Sequence, residues 1–94
     1  MISLIWSEEA KDDLQRLYKF LEQFSTVNAN KALDLLLAET NNLKDYPEIG
    51  RIWDKNPHMR NWPFKFGSKG YVMRYRLTDD AIIILRVWHS REDR

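Results

Sequence analysis

The chain has 94 residues, 44% of them hydrophobic, with four Trp, four Tyr, four Phe and no Cys, and a net charge of +1. That length holds one core, so a single domain over residues 1–94 is expected, and the lack of cysteine excludes disulfides, thiolate metal sites and cysteine nucleophiles. The charge is uneven: residues 1–50 carry five Lys/Arg against nine Asp/Glu, net −4, and residues 51–94 carry ten against five, net +5.

A basic half of this kind is the footprint expected for phosphate or for an acidic protein segment. No apolar run approaches the roughly 20 residues a membrane helix needs, and "MISLIWSEEAKDD" has no basic leader, so a cytoplasmic protein with no membrane partner is expected.

"ISLIW" alternates as a strand, with Ile2, Leu4 and Trp6 on one side. Ser7 then offers an N-cap, and Glu8 and Glu9 follow in a first turn where the helix dipole favours carboxylates. Ala10, Leu14, Leu17, Tyr18, Leu21 and Phe24 recur at helical spacing and predict an amphipathic helix whose stripe is core. After the cap and turn residues of "FSTVNANK", Ala29, Leu33, Leu36, Thr40 and Leu43 predict a second helix, stopped by Pro47. Leu35 and Leu37 lie off that stripe, where a partner helix or a second copy of the chain could cover them. The short connection makes the two helices an antiparallel hairpin.

From here the period becomes two. "MRNWPF" is a strand in which Pro63 argues for an edge or a bulge, "KFGSKG" is a turn, and "YVMRYRL" and "AIIILRVWH" form a hairpin about "TDD". The order predicts an α+β fold: an N-terminal strand, then an antiparallel helical hairpin packed on one face of a mostly antiparallel sheet completed by three C-terminal strands. The other face of the sheet is left uncovered. Arg74 and Arg76 share one face of their strand, and Arg86 is expected to share its face with Ile82, Ile84 and Trp88. A register aligning Arg74 with Arg86 gives the uncovered face a basic patch.

"WSEEAKDDLQRLYKFL", "LKDYPEIGR" and "YVMRYRLTDDAIIILRVWHSRED" together resemble the RelE/ParE superfamily of bacterial toxins, the ParE-like branch in particular. The resemblance spans nearly the whole chain and includes Arg60 in the strand after "YPEIGR". It implies the toxin of a type II toxin-antitoxin pair, a monomer or homodimer held inactive by a cognate antitoxin whose flexible segment wraps helices and sheet. It also implies one of two targets: ParE-like toxins poison DNA gyrase, whereas RelE-like toxins cut mRNA on the ribosome.

Metal-independent RNA cleavage needs a base, cations around the phosphate and an acid, roles open to Arg60, Arg86 and His89. The resemblance associates RelE-like nucleases with a lysine-rich or glutamate- and histidine-bearing middle segment and an aromatic residue near the C-terminus. Here the tail "WHSREDR" has no aromatic after the histidine, and the middle offers Lys55, His58 and Lys65. The favoured expectation is therefore gyrase inhibition by binding, with Arg51, Arg60, Arg74, Arg76, Arg86, His89 and Arg91 as target- or antitoxin-binding residues. The plainer alternatives are surface arginines paired with carboxylates, and a strand-end His89 bonded to backbone or to Asp93. Trp53, Trp62 and Trp88 are expected to pack in the core or at its rim. No cofactor is implied, and two histidines thirty-one positions apart without cysteine make a poor zinc site.

Overall fold

The computed structural model describes residues 2–66 and 69–91. Strand β1 (Ser3–Trp6) leads into helices α1 (Glu8–Glu22) and α2 (Thr26–Asp45), followed by strands β2 (Arg51–Trp53), β3 (Asn56–Phe66), β4 (Lys69–Leu77) and β5 (Ala81–His89). The strands form one sheet in the order β1-β5-β4-β3-β2. Only the β1–β5 pair is parallel; the other three pairs are antiparallel. The two helices cover one face, as the sequence predicts.

Among the described residues the C-terminal strands number four rather than three. Arg51–Trp53 is the addition, and three residues are too few to display an alternation that sequence periodicity detects. Its short span also explains Pro63. Strand β2 faces β3 only between Asn56 and Asn61, so Pro63 lies where β3 has a partner on one side alone, the setting in which proline is tolerated. The expected "KFGSKG" turn includes residues 67 and 68, which lie outside the described residues.

Both helices start on capping serines. The Ser7 hydroxyl accepts from the Ala10 amide at 3.0 Å and the Ser25 hydroxyl from the Asn28 amide at 3.1 Å, each satisfying an amide that has no partner within its helix. The α1 stripe buries Ala10, Leu17 and Leu21, but Phe24 is 73% exposed. Helix α1 ends at Glu22, so the helical spacing no longer carries Phe24 inward, and its ring instead meets Phe20 edge-on at 5.4 Å. On α2, Leu35 packs against the core while Leu37 stays exposed.

Tyr71, Met73 and Tyr75 of β4 and Ile82, Ile84 and Val87 of β5 meet these helices and are almost fully buried. Each such side chain contributes about 1.5–3 kcal/mol of transfer free energy. The pairing steps from Arg74↔Arg86 to Tyr75↔Ile84, so Leu85 is an extra residue forming a bulge. A bulge reverses the alternation beyond it. Arg86 therefore does not share its face with Ile82 and Ile84, as strict alternation predicts: those two point to the helices, while Arg86 and Trp88 emerge on the other side of the sheet.

Candidate functional site

Arg51 stands opposite Asn61, Asn61 opposite Arg74, and Arg74 opposite Arg86, a single row across four strands. Directly opposed residues lie on one face. The buried Met73 and Tyr75 that flank Arg74 point to the helices, so the row belongs to the uncovered face. Arg74 aligns with Arg86, the register on which a basic patch depends.

Arg74 is the centre of the row. Its guanidinium carbon lies 3.6 Å from the centroid of the Trp53 ring and 4.8 Å from that of Trp88, and its Nε donates to Asn61 Oδ1 at 2.9 Å. Each ring contact is worth about 0.5–2 kcal/mol depending on desolvation. Burial between the rings, together with the charge of Arg86, lowers the Arg74 pKa from its ordinary value, but a guanidinium stays cationic in proteins. The two tryptophans expected to pack in the core or at its rim thus also hold a cation in place. Arg76 is exposed on the same face, level with Met59 and Ile83.

Arg86 begins on this face and folds over the edge of the sheet. Strand β1 pairs with β5 only as far as Ile84, which leaves the outer edge of β5 without a neighbouring strand among the described residues beyond that point. Helix α1 and its cap take over. The Ser7 amide and hydroxyl donate to the carbonyls of Ile84 and Leu85 at 2.9 and 3.1 Å, and Arg16 Nη2 donates to the Val87 carbonyl at 3.3 Å. Asp13 Oδ2 accepts from the Val87 amide at 2.9 Å and from Arg86 Nε at 2.8 Å, while Arg86 Nη2 donates to Asp13 Oδ1 at 3.1 Å. Glu9 adds a looser pair to Arg86 at 3.6 Å. Burial alone would raise the Asp13 pKa, but the bonds from Arg86 and Val87, the Arg86 charge and Arg16 hold it below the ordinary value. Arg86 is thus engaged in a structural ion pair with a buried carboxylate.

Arg60 faces Tyr75 across the β3–β4 pair and so lies on the helix side, away from the basic row. Its Nη1 donates to the carbonyls of Glu48 and Gly50 at 3.0 and 2.8 Å. The Tyr75 hydroxyl donates to the Pro47 carbonyl at 2.8 Å and accepts from the Gly50 amide at 2.9 Å. The "YPEIGR" segment is therefore latched to the sheet by two side chains. A Cβ on Gly50 would sit 2.7 Å from the Tyr75 ring and hydroxyl, so the close approach requires glycine.

His89 pairs in register with Tyr71 on the helix side, its ring edge-on to Tyr71 at 5.3 Å and its Nδ1 accepting from the Arg91 amide at 3.1 Å. With Arg91 it lines a groove beside α1 that also includes Phe20, Lys65 and Lys69. Asp93, the other partner expected for His89, lies outside the described residues. The three residues of the nuclease alternative do not converge. Arg60 and Arg86 leave the sheet on opposite faces, and the level of His89 is four residues of β4 from that of Arg60, from Tyr71 to Tyr75, or about 13 Å along the strand.

Of the seven residues expected to bind, Arg51, Arg74 and Arg76 stand on the uncovered face, Arg86 leaves it for Asp13, and Arg60, His89 and Arg91 lie elsewhere. Among the described residues no cluster of three or more His, Cys, Asp or Glu could hold a metal ion, and no helix is long and apolar enough to cross a membrane. Sequence reasoning missed Asp13, Asn61 and the role of Trp53.

Comparison with known proteins matches residues 4–94 to the family described as ParE toxin of type II toxin-antitoxin system, parDE. Two curated proteins of Caulobacter vibrioides are similar over nearly their whole length. Toxin RelE3 is 35% identical over 100% of both chains, and toxin RelE1 is 33% identical over 98% of this chain and 97% of its own. The solved structure of a chromosomal ParDE toxin-antitoxin system from P. aeruginosa superposes with a TM-score of 0.77 at 23% identity, covering 95% of this chain and 96% of that one, which shows the fold. The family match spans both helices and, but for Ser3, all five strands, and on it the chain belongs to the ParE toxin family of type II toxin-antitoxin systems.

Proposed function

We propose that this toxin inhibits growth by binding DNA gyrase through the uncovered face of its sheet, without chemistry of its own, and that a cognate antitoxin neutralises it. The observation that carries the reading is the arginine row. Arg51, Arg74 and Arg76 present cations on a face the helices leave bare, and like charges held together in this way are stabilised by a partner of opposite sign. The scattering of Arg60, Arg86 and His89 supports contact over catalysis, since acid-base cleavage requires its groups within hydrogen-bond reach of one substrate.

Purified toxin incubated with gyrase and relaxed plasmid is expected to abolish supercoiling or to leave linear DNA, and addition of the antitoxin is expected to restore activity. Normal supercoiling at excess toxin would contradict the proposal. A second reading, ribosome-dependent mRNA cleavage, draws on the names of the relatives RelE3 and RelE1 and assigns Arg60 and Arg86 to the phosphate and His89 to proton transfer.

A further inference from the structure

We propose that Trp53, Arg74, Trp88 and Asn61 form a preorganised anchor for a carboxylate, an Asp or Glu side chain carried on an acidic and partly apolar segment of a protein partner. The inference adds a ligand chemistry to the contact face described above and rests on that face making a protein contact, whichever protein it is.

The argument starts from what Arg74 has already committed. Its Nε is used by Asn61, and its guanidinium lies over the Trp53 and Trp88 rings. Its terminal nitrogens make no hydrogen bond to any described residue. A guanidinium so held has lost most of its rotamer freedom before any ligand arrives, and it keeps a fork of donors that matches a carboxylate. Neighbouring charge points the same way. The five strands contain no Asp or Glu at any position, and the exposed Arg51 and Arg76 add positive potential on either side of the anchor.

The surroundings distinguish a protein from a nucleic acid. Val72, Ile83, Met59 and Pro63 lie among the arginines on this face. Nucleic-acid surfaces depend on many phosphate contacts, and the two indole rings of this face already lie against Arg74. Apolar side chains around a single held cation suit a peptide that alternates carboxylates with apolar residues.

The test uses the whole toxin and three probes followed by fluorescence anisotropy: a labelled peptide of Glu-Ala-Leu repeats, the same peptide with Gln for Glu, and a single-stranded oligonucleotide of equal charge. The Glu peptide is expected to bind at least about tenfold more tightly than the Gln peptide. Arg74→Lys keeps the charge but loses the planar fork, and it is expected to weaken the Glu peptide by about tenfold or more while melting like the parent. Trp53→Ala, which removes one flanking ring, is expected to weaken it too and supplies the readout if the lysine variant does not fold. Lys31→Gln, on the helical layer, is expected to change binding by less than about twofold.

Equal binding of the Gln peptide, undiminished binding by Arg74→Lys and Trp53→Ala, or tighter binding of the oligonucleotide would each overturn the anchor. Running the supercoiling assay on the same proteins separates the two proposals. Arg74-dependent peptide binding by a toxin that leaves gyrase untouched overturns gyrase as the target and keeps the anchor. Inhibition of gyrase that is undiminished in Arg74→Lys, with no preference for the Glu peptide, does the reverse.

Discussion

Asp13→Ala is expected to destabilise the toxin by about 3–5 kcal/mol, the range for removing one partner of a buried ion pair. On a chain of this size that lowers the thermal midpoint by more than about 12 °C. Three groups lose their acceptor together: the Val87 amide, the Arg86 guanidinium and Arg16. The buried Val87 amide suffers most directly, since β1 pairs with β5 only as far as Ile84 and Asp13 is the acceptor of that amide. Asp13→Asn keeps the shape and one acceptor, so its cost should fall between the parent and the alanine variant.

The pH dependence of that cost has a definite sign. The folded Asp13 pKa lies below its ordinary value of 3.8, so its contribution is complete above that value and is lost as pH falls through the lower folded pKa. The stability difference between the parent and Asp13→Asn is therefore expected to shrink as urea titrations move from pH 6 toward pH 3. A difference that stays constant or grows on acidification would contradict the ion pair.

Tyr75→Phe and Gly50→Ala are each expected to cost about 1–3 kcal/mol, by different routes. The first leaves the Gly50 amide and the Pro47 carbonyl without the hydroxyl that serves both. The second forces a methyl to within 2.7 Å of the same tyrosine. Because they act on one contact, the double variant should cost less than the sum of the two, with Tyr75→Phe relieving the hydroxyl part of the clash. Full additivity in urea titrations would show that the latch is not a unit. The latch also bears on binding, since the segment it holds leads directly into β2, which carries Arg51 and Trp53. Loosening it is expected to weaken the anchor at Arg74 as well.

The helices, the hairpin and the sheet with one bare side were legible because their signals are periodic: apolar residues three and four apart along α1 and α2, and every second residue along β4. What escaped was non-periodic. The bulge at Leu85 closes the apolar run Ala81–Leu85, where no alternation of polar and apolar residues marks the change of face, so strict period two places Arg86 with Ile82 and Ile84. Arg60 and Arg74 look alike in sequence, and the pairing of β3 with β4 alone sends one to the helix side and the other to the open side. Asp13 did carry a signal. It stands three residues after Ala10 and four before Leu17, on the apolar stripe itself, and a carboxylate at such a position requires a buried partner. The "YPEIGR" segment was recognisable as a motif, but its purpose depends on Tyr75, twenty-five residues beyond Gly50.

The most direct measurement follows labelled thymidine and labelled methionine into cells during the first minutes after the toxin is induced without its antitoxin. Poisoned gyrase stalls replication, so thymidine incorporation should fall first while methionine continues to enter protein. Methionine incorporation collapsing ahead of thymidine would contradict gyrase binding and mark messenger RNA as the target.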